Sequence, residues 1–160
     1  MRNFNNIDIL ELVEKSKMED YLYMTQEELF QEKLDADNEI IEYKKIYENT
    51  KDDLMQYFPS PSFMYTYNLK KSAVISLLIN YKFINTERFN NLFLDDEEKN
   101  IIMDLITESI KRNPKISYFD LINLRDEEDE FEIYLEKLIE DKVILRFGKH
   151  DNRYWKVNKL

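Results

Sequence analysis

A chain of 160 residues suits one domain or two small subdomains sharing a core. Its 43% hydrophobic and 14% aromatic content can fill that core and excludes disorder. One glycine and three prolines exclude a turn-rich sheet fold, and the lack of cysteine excludes disulfides and thiolate metal sites. The net charge of −10 argues against nonspecific nucleic-acid binding, which Lys and Arg drive by neutralising phosphates, but is compatible with a local basic patch.

The first segment, residues 1–58, predicts a helical region. Ile9, Leu10, Leu12 and Val13 give a short helical pattern over Ile7 to Lys17. Acids at Asp8, Glu11 and Glu14, with no basic flank or apolar run, are unlike a signal peptide. No window approaches the ~20 apolar residues of a membrane span. The expected location is therefore the cytoplasm, with no membrane partner. Thr25, with Glu28 three residues on, forms a capping box that opens a helix carrying Leu29, Phe30 and Leu34 on one face. Ala36 to Phe58 reads as a long charged helix with Ile40, Tyr43, Tyr47, Leu54 and Phe58 as its stripe and a weak point at Asn49–Thr50.

Pro59-Ser60-Pro61 is the clearest break and opens a connecting segment, residues 59–94. Phe63, Tyr65 and Tyr67 alternate with Met64 and Thr66, the pattern of a short extended stretch. Asn68 is placed to cap a helix to about Phe83 with Ala73, Val74, Leu77 and Leu78 as its core. Thr86 and Glu87 are placed to open another through Phe89, Leu92 and Phe93. The aromatics around the break, Tyr57, Phe58, Phe63, Tyr65 and Tyr67, have three readings. They fill a core, line a protein interface, or stack on exposed bases.

In residues 95–160, Asp95 to Glu98 place acids at a helix N-terminus. Ile101, Ile102, Leu105, Ile106 and Ile110 then repeat at helical spacing, and Asn113-Pro114 ends the helix. Ser117 caps a second helix with Phe119, Leu121 and Ile122. Asp126 caps a third with Phe131, Leu135, Leu138 and Ile139. Two β-rich runs, Val143 to Phe147 and Arg153 to Val157, flank a five-residue loop containing Gly148 and read as a hairpin.

Three helices followed by a hairpin, with Leu138 to Ile144 leading to Gly148 and a Tyr-Trp strand, resemble a winged-helix domain, a helix-turn-helix variant. The expected fold is mainly α, an N-terminal helical region followed by a winged-helix-like domain with a β-hairpin wing. The resemblance implies DNA binding, with the third helix in the major groove and the wing on the backbone. The charges depart from that use. Asp126 to Lys142 carries nine acids and two bases, a net of −7, and phosphates repel such a helix. Val143 to Leu160 carries five bases against Asp151 alone, a net of +4. A basic wing beside an acidic helix makes a dipolar surface that can orient a partner.

No catalytic, cofactor or metal residue stands out. One glycine cannot build a phosphate-binding loop. His150, the single histidine, is a wing contact or general base in one reading and an ordinary loop residue in the other. Asp95 to Glu98 are explained by helix capping without a cation, and an EF-hand would need its mid-loop glycine.

Three functions are compatible with these observations. The first is a non-enzymatic regulator or inhibitor acting by protein–protein contact through Asp126, Glu127, Glu128, Asp129 and Glu130. Its partner would present a basic groove, as a nucleic-acid-handling enzyme does. Small acidic phage-encoded inhibitors, including DNA mimics and anti-CRISPR proteins, work in this way. The second is a DNA-binding regulator of transcription or replication using the wing residues Arg146, Lys149, Arg153 and Lys156, as a homodimer through the long N-terminal helix. The third is an enzyme with dispersed carboxylates, for which no nucleophile or base can be named.

Overall fold

The structure is a computed structural model and describes residues 6–49, 61–92, 95–124, 128–148 and 152–158. Among them are helices α1 (Asn6–Lys15), α2 (Gln26–Asn49), α3 (Pro61–Asn90), α4 (Asp96–Arg112), α5 (Tyr118–Ile122) and α6 (Glu128–Glu140). Strands β1 (Ile144–Phe147) and β2 (Tyr154–Val157) form an antiparallel hairpin, and a 3-10 turn, Glu19–Tyr23, follows α1. The chain is mainly helical with a small C-terminal hairpin, in keeping with its shortage of turn residues. Leu54, Tyr57, Phe58, Pro59, Ser60 and Phe93 lie outside the described residues, as do Asp126, Glu127, Lys149 and His150.

The chain forms two compact units, Met1–Tyr21 with Gln26–Asn80, and Leu22–Thr25 with Tyr81–Leu160. The seam falls inside α3.

In the first unit the buried apolar residues are Ile9, Leu10, Val13, Met18, Leu29, Ala36, Val74, Ile75 and Leu78. α1 ends through Lys17 at φ 57°, with the Met18 amide donating to the Val13 carbonyl at 3.0 Å. This is the left-handed helix stop that glycine usually provides. α2 is one continuous helix where two were expected, and Phe30 and Leu34, expected on one face with Leu29, are exposed while Leu29 is buried.

α3 departs further from expectation. Pro61 is its first residue, where the missing N–H costs nothing. Phe63 to Tyr67 is helical, not extended. The rings of Phe63 and Tyr67, four residues apart on one face, stack with centroids at 6.4 Å. Both rings are exposed, so they do not fill a core. Asn68 and Thr86, expected as helix starts, lie inside α3. The Asn68 amide donates to the Met64 carbonyl at 2.9 Å and the Thr86 hydroxyl to the Lys82 carbonyl at 3.1 Å. Such bonds to the preceding turn let polar residues ride within a helix. Ser72 donates to Asp37 at 2.6 Å, and Lys71 pairs with Glu32 at 3.3 Å, tying α3 to α2.

At α4 and α5 the sequence signals for helix ends hold. Asp95 accepts from the Glu98 amide at 2.8 Å, and Ser117 accepts from the Asp120 amide at 3.1 Å. Asn113, before Pro114, closes α4. Ile102, Ile106 and Ile110 are buried, while Ile101 is exposed. α6 ends as α1 does. Lys142 stands at φ 57°, and the Val143 amide donates to the Leu138 carbonyl at 3.0 Å. The chain then enters β1, whose residues pair with β2 in the register Ile144↔Val157, Leu145↔Lys156, Arg146↔Trp155 and Phe147↔Tyr154.

Gly148 follows β1 at φ +86°, and a Cβ there would stand 2.2 Å from the Asn152 carbonyl oxygen. Only glycine fits this approach. The α4–α5 connection is bonded to β2. The Trp155 amide donates to the Pro114 carbonyl at 2.7 Å, and its indole N–H donates to the Ile116 carbonyl at 2.6 Å.

Candidate interaction surface

The acidic stretch expected as a docking surface, Asp126 to Glu130, runs into the start of α6. Glu128, Asp129 and Glu130 form its first turn; Asp126 and Glu127 fall outside the described residues. Acids at this position favour the helix whatever else they do, because the N-terminal amides carry partial positive charge.

Beyond the first turn α6 is not a surface helix. From Phe131 to Ile139, eight of nine residues are buried, Lys137 being the half-buried exception. A helix facing water on one side would leave a polar face open, and α6 leaves none over this stretch. Two of the nine acids in the count above, Glu132 and Glu136, are therefore interior groups rather than surface charge.

These two carboxylates, four residues apart and so on one side of the helix, enter a buried polar network. Lys82 of α3 pairs with Glu136 at 2.6 Å, both side chains being fully enclosed. The same ammonium donates to the Leu22 carbonyl at 2.8 Å. The Tyr118 hydroxyl donates to the other Glu136 oxygen at 2.6 Å, and the Tyr81 hydroxyl donates to Glu132. The two hydroxyls lie 2.8 Å apart. Burial, reinforced by the negative charge of Glu136, pushes both phenols well above their ordinary value. They hold their protons at neutral pH and act as donors.

A lysine, two glutamates and two tyrosines are the materials of acid–base chemistry. Here they are closed from solvent and bonded to one another, which is the arrangement of a structural ion pair. Sequence reasoning missed this network. Its trace was present, since Glu132 and Glu136 sit inside the run Phe131, Ile133, Tyr134, Leu135, and Lys82 sits between Tyr81 and Phe83.

The hairpin presents two faces. On the inner face Trp155 is buried, and the Arg146 guanidinium lies 4.4 Å from the Tyr23 ring centroid and 5.4 Å from that of Trp155. Both are cation–π distances. The Nε and Nη1 atoms of Arg146 are buried, as is Nε of Arg153. On the outer face Phe147 and Tyr154 are exposed and stacked, with centroids at 5.8 Å, beside exposed Lys156. Of the four bases assigned to a nucleic-acid contact, Lys156 is exposed, Arg146 and Arg153 are half-buried, and Lys149 lies outside the described residues.

Among the described residues, no three His, Asp or Glu side chains gather as a metal site, and no helix is long and apolar enough to cross a membrane. Comparison with known protein families, curated proteins and solved structures found no match.

Proposed function

We propose that this protein is a non-enzymatic regulator or inhibitor that acts by protein–protein contact, and that residues 95–160 form a winged helix that does not read DNA with its third helix. The order α4, α5, α6, hairpin supports the winged-helix reading, as do the bonds from Trp155 to the α4–α5 connection. The observation that carries the function is the burial of α6. A major-groove reader must offer side chains along one open face. From Phe131 to Ile139, α6 is enclosed, with Tyr81 and Lys82 engaged on Glu132 and Glu136.

What the helix offers a partner is its acidic start, Glu128, Asp129 and Glu130, preceded in the chain by Asp126 and Glu127. A basic groove on a nucleic-acid-handling enzyme has the complementary charge, and imitation of DNA phosphates is the mechanism such a surface serves.

The test compares the wild-type chain with a Glu127→Lys, Glu128→Lys, Glu130→Lys variant in affinity capture against such enzymes, alongside fluorescence anisotropy on labelled random duplex DNA. Capture by the wild type alone, with no duplex binding at low salt, is the expected result. Equal capture by both proteins would remove the acidic docking surface. Duplex binding that weakens steeply with salt would instead assign the function to the wing.

A further inference from the structure

α2 carries an apolar stripe that its own unit leaves open. Phe30, Leu34 and Ile41 are 57%, 54% and 55% exposed, while Leu29 and Ala36 on another side of the helix are buried. At about 100° per residue, the three side chains fall within an arc of about 40° and cover roughly 16 Å of helix. Single exposed apolar residues are ordinary, but an aligned row of three on one helix calls for a cover.

The charges beside the stripe say what covers it. On the same flank, exposed Glu27 stands at the N-terminal end and exposed Lys45 at the C-terminal end, with uncharged Gln31 and Asn38 between them. Two copies of α2 packed antiparallel place equivalent flanks together, so Glu27 of each copy meets Lys45 of the other. Phe30 of each copy then lies near Ile41 of the other, and Leu34 sits close to the two-fold axis. Parallel packing would put the equivalent flanks on opposite sides of the seam and leave Glu27 and Lys45 at different heights, so these pairs would not form.

Asp37 also lies near the stripe, but its carboxylate is already engaged. Lys33 bonds one oxygen at 2.7 Å and Ser72 the other at 2.6 Å. Self-association of a chain with net charge −10 has to overcome mutual repulsion. An interface made of an uncharged row and two symmetry-related ion pairs adds none.

We propose that α2 is a self-association surface, on which two copies of the chain pair antiparallel and isologously through Phe30, Leu34 and Ile41, with Glu27–Lys45 pairs at both ends. This surface belongs to the first unit. The proposal stands apart from the function assigned to α6 and is tested without any other partner.

The test is sedimentation equilibrium of the full chain over a range of concentration, with circular dichroism to establish folding. The wild type is expected to reach twice the 19.6 kDa chain mass. Leu34→Glu places like charges beside the two-fold axis and is expected to give a monomer of unchanged helicity. Glu27→Lys and Lys45→Glu are each expected to weaken the dimer on the order of tenfold, because two attractive pairs become two repulsive ones. Their combination restores the pairs with reversed sign and returns most of the affinity.

A wild type that stays monomeric at every concentration overturns the proposal. So does a dimer indifferent to Leu34→Glu. A double charge reversal no better than either single one refutes the antiparallel pairing. Since all five residues are exposed, a second stripe variant, Phe30→Ser, separates loss of pairing from loss of fold.

Discussion

Replacing Lys82 by methionine tests whether the buried network supports the second unit. The substitution keeps the length of the stem and removes the ammonium. It leaves the Glu136 carboxylate enclosed with the Tyr118 hydroxyl as its remaining bond, and takes from the Leu22 carbonyl the donor at 2.8 Å. Removing one partner of a buried ion pair costs about 3–5 kcal/mol, because the other charge stays in a poorly polarisable interior. Against a total stability of roughly 5–15 kcal/mol for a domain, that is a fifth of the whole at the least.

Adding Glu136→Gln to Lys82→Met removes the stranded charge while an amide oxygen still accepts from Tyr118. The double variant is expected to recover about half of the loss. The assay is urea denaturation followed by fluorescence of Trp155, the single tryptophan and a buried residue of the same unit. A loss below about 1 kcal/mol for Lys82→Met would refute the reasoning, since that is the cost of an exposed pair. So would a double variant less stable than the single one, because it would mean that the stranded carboxylate was not the source of the loss.

The two buried phenols predict a loss of stability in alkali. Their folded-state values lie above the ordinary value of about 10. Above that pH the unfolded chain releases protons that the folded chain keeps, so stability is complete below it and falls as pH rises beyond it. Spectrophotometric titration is expected to show at least two of the 11 tyrosines ionising only with unfolding, and one fewer in Tyr118→Phe; all 11 titrating together would contradict the burial. Gly148→Ala forces a side chain against the Asn152 carbonyl at a positive φ and should destabilise the second unit by about 1–3 kcal/mol in the tryptophan-monitored melt. An unchanged melting temperature would mean that the turn after β1 is free to open.

The signals that sequence carries best are those in which a side chain acts on its own backbone. Asp95 and Ser117 cap the helices they were expected to cap, Asn113-Pro114 ends α4, and the β-rich runs around Gly148 form the hairpin. The same logic failed at Asn68 and Thr86. Their side chains bond to carbonyls one turn back, so a residue type that starts a helix also rides inside one. Phe63, Tyr65 and Tyr67 alternate as a strand would, yet Phe63 and Tyr67 are equally neighbours on a helix. Five residues do not separate the two periods.

The candidate sites show the same division. The acidic run and the basic tail are plain in the sequence, because charge is a property of residue type. Whether a charge faces water is not. Glu132 and Glu136 counted toward an acidic surface until the fold brought Lys82, Tyr81 and Tyr118 to them from 18 to 54 residues away. Arg146 counted toward a basic wing until Tyr23 and Trp155 took its guanidinium.

A mainly helical chain with a C-terminal hairpin is legible in the residues alone, because composition, periodicity and capping act over short stretches. That α3 runs unbroken from Pro61 to Asn90, that α6 is enclosed and that the stripe on α2 is left open emerge with the folded chain alone. Each depends on which distant side chains arrive, and burial is set by the neighbours a residue acquires rather than by the residue itself.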